Sequence, residues 1–425
     1  MKVHSSPGVA VRRTGVEASA PGDRRRVELT IDLAIAGAVA FQVFQRVVNN
    51  GYELSPYGRS LWYVSYQFGF VRRGLAGELL RRALGHTPTV PQVAVVQNVI
   101  AVLTVSAAAW LVLVLCRQRT VIGYSVAALL AISPFGFDFV GGSKRPDLVA
   151  FLLLAVVAVW STSTRAEPVV VGAVSGALLA LSAFFSEAGP LVVGPWLVLI
   201  VLVLARARGR SSWECGIAGV LAAAPSALAL GALSLTGRAS VDTVAALEQV
   251  APLNVGGRGT VFPYLDDTVM VSVGKVGTRF PVTSLVVGAL LLGVLWFLGR
   301  RLHPVAASVV SWTFLSAAWR RLWAAGFAGV TVLLFALGFD WMRWVTSIVF
   351  SASLAAGAIV VIVGRAPNPP DDARAWNRPV PSRVALSLPA VTSLAVAVYL
   401  LVLPPLPTAV DNVSRAAHLL MNAPG

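Results

Sequence analysis

The charged residues of this sequence are few, and several stand in groups whose chemistry can be named. Arg72 and Arg73 are adjacent, which suits a phosphate or pyrophosphate, because guanidinium forks bind its oxygens bidentately. Lys144 and Arg145 form a second basic pair, with Asp138 before them and Asp147 after. Glu187 lies in Ser186-Glu187-Ala188-Gly189-Pro190, a small, apolar run with no basic neighbour. Asp340 and Arg343 belong to the turn Asp340-Trp341-Met342-Arg343-Trp344. A carboxylate at the depth of a phosphate site is the general base that takes a proton from a sugar hydroxyl. The aromatic run from Leu61 to Phe70, Tyr66 among it, suits an isoprenoid or acyl tail. Arg258 follows Gly256-Gly257 and precedes Phe262-Pro263-Tyr264-Leu265-Asp266-Asp267, a flexible segment able to close over a sugar. Together these describe a lipid-linked sugar donor entering from a membrane and an acceptor arriving from outside. Glu187, Asp147 and Asp138 are the expected catalytic residues. Arg72, Arg73, Lys144, Arg145, Arg343, Asp340, Arg258 and Tyr66 are the expected substrate-binding ones.

Plainer roles compete at each position. Asp147 is placed to cap a helix, where a carboxylate suits the positive end of the dipole. Asp340 and Arg343 form a local ion pair between interface tryptophans on the same logic, Arg72 and Arg73 meet phospholipid head groups, and Asp266 and Asp267 make a solvated turn. The sequence has no DxD, HExxH, GxSxG, Walker loop or dinucleotide-binding glycine pattern. Its histidines (His4, His86, His303 and His418) are dispersed, and neither Cys116 nor Cys215 has metal-ligand spacing. No metal-ligating residues are expected; the cofactor stays open, a divalent metal included.

The elements that position these residues follow from composition. The chain is 56% apolar and 12% charged, with a mean hydropathy of +0.76; a soluble domain carries roughly 25% charged residues. The deficit falls in blocks of about 18–25 residues, the length that crosses about 30 Å of hydrocarbon. These blocks run at 28–48, 92–116, 120–138, 147–163, 168–186, 188–205, 213–235, 281–299, 323–340, 344–364 and 383–403. The expected fold is therefore all-α, a polytopic transmembrane helical bundle of about eleven spans. The apolar stretch 304–319, ending in Arg320 and Arg321, is read as interfacial or re-entrant. The net charge of +15 lies at block ends rather than on a basic face with interleaved aromatics, so anionic lipid accounts for it and nucleic acid is not an expected partner. Placing the N-terminus inside puts most of the basic residues on the cytoplasmic side, which predicts N-in and C-out. Residues 1–27 are then a cytoplasmic basic tail, 28–403 the transmembrane domain, and 404–425 an extracytoplasmic tail. The apolar run after residue 27 has no A-x-A site and reads as a retained first helix. Two outer loops follow, 49–91 and 236–280. Within the first, residues 72–84 have apolar positions at helical spacing and arginines opposite, the pattern of an amphipathic helix in the outer interface. Arginine outnumbers lysine 31 to 3, usage expected of a GC-rich bacterial genome, so the setting is a bacterial cytoplasmic membrane.

Phe68-Gly69-Phe70-Val71-Arg72-Arg73-Gly74-Leu75, Lys144-Arg145-Pro146-Asp147, Ser186-Glu187 and Asp340-Trp341-Met342-Arg343-Trp344 resemble a group of bacterial multi-helix membrane proteins. That group shares an aromatic-Gly-aromatic-x-Arg-Arg-Gly segment, a basic-x-Asp turn, a His-Glu turn and an Asp-Trp-x-Arg-Trp turn. More loosely, it is similar to the GT-C glycosyltransferases and polysaccharide polymerases, which use polyprenyl-phosphate sugars at the outer face. The resemblance spans residues 60–345 and implies cell-envelope glycan synthesis, with other envelope-synthesis membrane proteins as partners. Two departures matter. Serine replaces the histidine of the His-Glu turn, and the first outer loop offers Glu53 and Glu78 where the GT-C type has an aspartate. The base therefore remains open among Glu53, Asp138, Asp147 and Glu187. A transporter or lipid-linked-glycan flippase is the alternative, and a non-catalytic scaffold of an envelope-synthesis complex is a third.

Overall fold

The computed structural model describes residues 21–49, 56–132, 145–252, 260–265, 309, 311–314, 317–337, 341–367 and 369. Their regular elements are helices, with no strand among the described residues. We number the helices α1 (Pro21–Asn49), α2 (Pro56–Ser60), α3 (Leu75–Leu84), α4 (Val90–Arg117), α5 (Val121–Ile132), α6 (Leu148–Ser161), α7 (Pro168–Ala183), α8 (Ala188–Ala207), α9 (Ser212–Thr236), α10 (Val241–Val250), α11 (Ala317–Leu337) and α12 (Trp341–Gly364). Four helical stretches are long and apolar enough to cross a membrane: Val90–Arg117, Ala188–Ala207, Ser212–Thr236 and Ser347–Gly364. Helices α5, α6 and α7 are shorter and also apolar. The blocks at 281–299 and 383–403 lie outside the described residues, as do the tails 1–20 and 404–425.

Local sequence sets the helix ends. α4 begins with a capping box in which Thr89 and Gln92 satisfy each other's backbone amides, and Pro91 sits in its first turn. Ser211 and Glu214 do the same for α9. α11 starts six residues before the expected block and carries Arg320 and Arg321 inside its first turns. The Ala-Ala-Trp run ahead of the arginines favours helix, and arginine does not interrupt it.

The bundle is built around α8, which packs against α6, α7, α9, α11 and α12. The closest helix pair is α7 with α9. A Cβ on Gly176 would stand 1.9 Å from the Leu221 carbonyl oxygen, and one on Gly172 would stand 2.5 Å from that of Ala218. Small residues four apart thus bring two backbones together, as in membrane helix pairs. Elsewhere α4 exposes Val95, Val99, Val102, Leu103, Trp110 and Leu113, and α9 exposes Val220, Leu228 and Leu235. Apolar surface of that extent on long uncharged helices is lipid-facing surface.

The two expected outer loops form one layer. Leu61, Trp62, Tyr63, Val64, Val71 and Ala76 from the first loop make a core with Ala239, Leu247, Ala251, Val261, Phe262 and Leu265 from the second. The second loop contains a helix, α10, where the sequence predicts only loop; Ser240 caps it by accepting from the Thr243 amide at 3.1 Å. We call this layer the cap.

The expected interfacial helix is present as α3, with its faces assigned differently. Ala76, Gly77 and Glu78 are its buried residues, and Leu79 is 50% exposed. Gly77 accounts for this. Its missing side chain leaves room for the Val64 carbonyl oxygen, 2.2 Å from where a Cβ would lie, so the small face turns to the protein and Leu79 turns outward. Arg81 and Arg82 both reach Glu78 instead of forming a separate polar face.

Candidate functional site

The turns joining α6 to α9 alternate between two ends of the bundle, and the cap covers one of them. The α7–α8 turn and the end of α9 both meet the segment Phe70–Leu75. The Leu75 amide donates to the Phe184 carbonyl at 3.3 Å, and the Arg72 amide donates to that of Gly237 at 2.8 Å.

The segment's own sequence makes it a sharp bend. Gly69 has φ +125°, which requires glycine, and Arg73 has φ 65°, the left-handed region that few residues other than glycine adopt. Gly74 admits the Tyr66 ring, whose Cε1 would be 2.3 Å from a Cβ there. Tyr66 also stacks on Phe70 at 5.3 Å, and its amide donates to Glu78 at 3.3 Å. Glu78 is 4% exposed. Hydrogen bonds from Arg81 outweigh its burial, and with Arg82 they hold it down at about 2. Left-handed residues cluster at functional sites because surrounding contacts must hold them; here Tyr66 and Glu78 supply that hold.

The bend sends two consecutive arginines in different directions. Arg73 Nε donates to Glu187 Oε2 at 2.6 Å, and its Nη1 donates to the Tyr57 hydroxyl at 3.4 Å. Arg72 Nη2 donates to the Tyr264 carbonyl at 2.5 Å. Tyr57 links them: its ring lies 6.1 Å from that of Tyr264, edge to face, and the Arg145 guanidinium sits 4.7 Å above its centre. Three arginines from two separate segments, 72–73 and 145, thus surround one pair of tyrosines.

Burial pushes the Glu187 carboxyl upward, but the charges of Arg73 and Arg72 and the Arg73 hydrogen bond outweigh it, leaving the group below the ordinary carboxylate range. Glu187 is therefore an ionised counter-charge to Arg73 and a weak base. It stands at the start of α8 without capping it. Asp147 likewise stands at the start of α6, buried, with no side-chain capping hydrogen bond, so what it offers the helix is its charge at the positive end of the dipole.

The structure brings Arg72, Arg73, Arg145 and Glu187 together and places Asp147 two residues from Arg145. Tyr66 is a strut beneath the bend. Arg343 is in the first turn of α12, whose other end lies where Arg365 donates to the Thr162 carbonyl, so Arg343 starts from the cap end. Asp138, Lys144, Arg258 and Asp340 lie outside the described residues, as does Glu53. Sequence reasoning missed Tyr57. Its signal is faint, a lone tyrosine in Pro56-Tyr57-Gly58-Arg59 ahead of the aromatic run. Among the described residues, no three His, Cys, Asp or Glu side chains converge in a way that would hold a metal ion.

An all-helical bundle with several membrane-length apolar helices, lipid-facing stripes and one capped end defines a polytopic membrane protein. Residues 27–252 match the family described as uncharacterised membrane protein Rv1490, and the chain belongs to that family. It is 30% identical over 182 residues to the uncharacterised protein Rv1490 of Mycobacterium tuberculosis (strain H37Rv) and, equally, to the uncharacterised protein Mb1527 of Mycobacterium bovis. The similarity covers 42% of this chain and 41% of each relative, less than half their length. No solved structure matches.

Proposed function

We propose that this protein is a GT-C-like glycosyltransferase or polymerase of the bacterial cytoplasmic membrane. It takes sugar from a polyprenyl-phosphate donor at the outer face, in cell-envelope glycan synthesis. The observation that carries the reading is the gathering of Arg72, Arg73 and Arg145 around the Tyr57–Tyr264 pair at the capped end of the bundle. A phosphate is the ligand such a set of guanidinium groups suits. The donor's polyprenyl chain runs along the lipid-facing side, where Phe68 and Phe70 are exposed next to the bend. Glu187 fixes the direction of Arg73. Proton abstraction from the acceptor hydroxyl then falls to Asp147 at the head of α6, or to Asp138, which lies outside the described residues. The cap end is the outer end in this reading, in keeping with an N-terminus inside.

Purified protein in lipid nanodiscs, given a polyprenyl-phosphate sugar labelled in the sugar, is expected to transfer label to an envelope glycan acceptor. A deletion strain with unchanged envelope glycans, together with no binding of polyprenyl phosphate, would reject the proposal. Movement of the labelled lipid between leaflets without transfer would favour the flippase instead.

A further inference from the structure

The cap contains a cleft lined by residues other than those of the arginine bend. Its outer part, about 370 Å³, lies where the α3–α4 connection meets the end of α10 and is walled by Pro88, Val90, Pro91, Val250 and Pro252. Thr87, Pro88 and Val250 also border a small inner recess that reaches Trp62, Tyr63, Ser65 and Gln67. The recess has about 10 Å³ of free space, room for one oxygen-sized group.

Two of its walls carry polar atoms with unmet needs. Trp62 is 2% exposed and Tyr63 3%, yet among the described residues neither the Trp62 indole N–H nor the Tyr63 hydroxyl has a hydrogen-bond partner. Buried donors are nearly always satisfied, and one left bare is costly. Two such groups beside the same recess call for an oxygen that accepts from the indole and exchanges a hydrogen bond with the phenol. Arg81, also on the recess, shares Glu78 with Arg82, and the outer cleft has no charged residue among its described lining. The outer cleft has the volume and the flat, apolar walls that receive a small ring-shaped ligand.

We infer that this cleft binds a neutral saccharide, with one hydroxyl seated between Trp62 and Tyr63 and the ring lying against the prolines of the outer wall. Under the proposed function this is the acceptor glycan's place, on the same capped end as the donor site but built from different residues. The saccharide site rests on the transferase reading for that role alone, and its existence can be tested separately.

The test uses the full chain in nanodiscs and neutral di- to tetrasaccharides released by mild acid from the envelope of the source cells. Binding is read by saturation-transfer NMR, and polyprenyl phosphate binding is measured on the same samples. Wild type is expected to bind the saccharides. Trp62→Phe and Tyr63→Phe each keep an aromatic ring and remove one polar group, and each is expected to weaken saccharide binding at least tenfold while polyprenyl phosphate binding is retained. Val250→Trp, which fills the cleft from its rim, is expected to abolish it. Retained lipid binding certifies that a variant is folded. Saccharide binding that is absent in wild type, or equal in wild type and both phenylalanine variants, overturns the inference and leaves the donor site untouched. Loss of lipid binding by wild type itself counts against the transferase reading instead.

Discussion

The two ends of the bundle use arginine in opposite ways. At the end away from the cap, arginines close turns. Arg208 donates to the Ser163 carbonyl at 2.8 Å, and Arg365 donates to that of Thr162. Arg210 pairs with Glu167 at 2.5 Å and with Glu214 at 3.3 Å, and Arg119 pairs with Glu28 at 2.8 Å. The arginines of these ion pairs are more than a third exposed. At the cap end, Arg72 and Arg73 are less exposed, stand in a bend that strains the backbone, and share their surroundings with Arg145. One described carboxylate, Glu187, reaches Arg73 there at 2.6 Å. Each end holds one arginine in the left-handed region, Arg73 at the cap and Arg119 at the other; what sets the cap end apart is that its arginines gather around a tyrosine pair, the arrangement we propose for holding an anion.

That contrast can be broken at several points. The largest effect is expected of Arg73→Ala, which removes a guanidinium from the donor site and leaves Glu187 without its strongest partner. Sugar transfer should fall by about a hundredfold, on the scale of two charge-assisted hydrogen bonds. Stability should fall by about 2 kcal/mol, less than a fully buried pair would give because Glu187 is a fifth exposed; transfer assays and thermal unfolding check the two parts. Glu187→Gln keeps shape and removes charge, and transfer should fall about tenfold. Because the Glu187 pKa is lowered in the folded protein, the pair stabilises above the ordinary carboxylate range and is lost as pH falls through the lowered value. Melting of wild type between pH 7 and pH 3 should therefore show an acid loss that the glutamine variant lacks. Tyr57→Phe should cost only about two- to threefold in transfer, since the Arg73 contact is long and the ring beneath Arg145 survives; Tyr57→Ala should cost more. Smallest of all, Arg210→Ala at the other end should leave transfer unchanged and move stability by no more than about 1 kcal/mol.

The membrane bundle was plain in the sequence, because apolar blocks of spanning length recur only where lipid is the solvent. The bend was not legible, since the helical spacing of 72–84 runs straight through it, whereas Arg73 turns left-handed and the helix begins only at Leu75. What depends on distant contact was hidden. Glu187 has no basic neighbour in the chain, yet its partner Arg73 is 114 residues away. Tyr57 gains its role only when α6 brings Arg145 over its ring. The merging of two loops into a cap, and helix α10 within it, depends on cross-loop packing that no local period records. The buried face of α3 differs from expectation because hydrophobicity favours Leu79 for burial, while close backbone approach favours Gly77.

The arginine bend as a phosphate site is tested most directly by photo-crosslinking a polyprenyl phosphate to the full chain in nanodiscs. The comparison sets wild type against Arg72→Ala/Arg73→Ala at the cap end and Arg208→Ala/Arg210→Ala at the other. Labelling is expected near the Arg72–Arg73 bend, lost in the first double variant and unchanged in the second. Equal labelling in all three proteins, or loss in the second alone, would contradict a donor site at the cap.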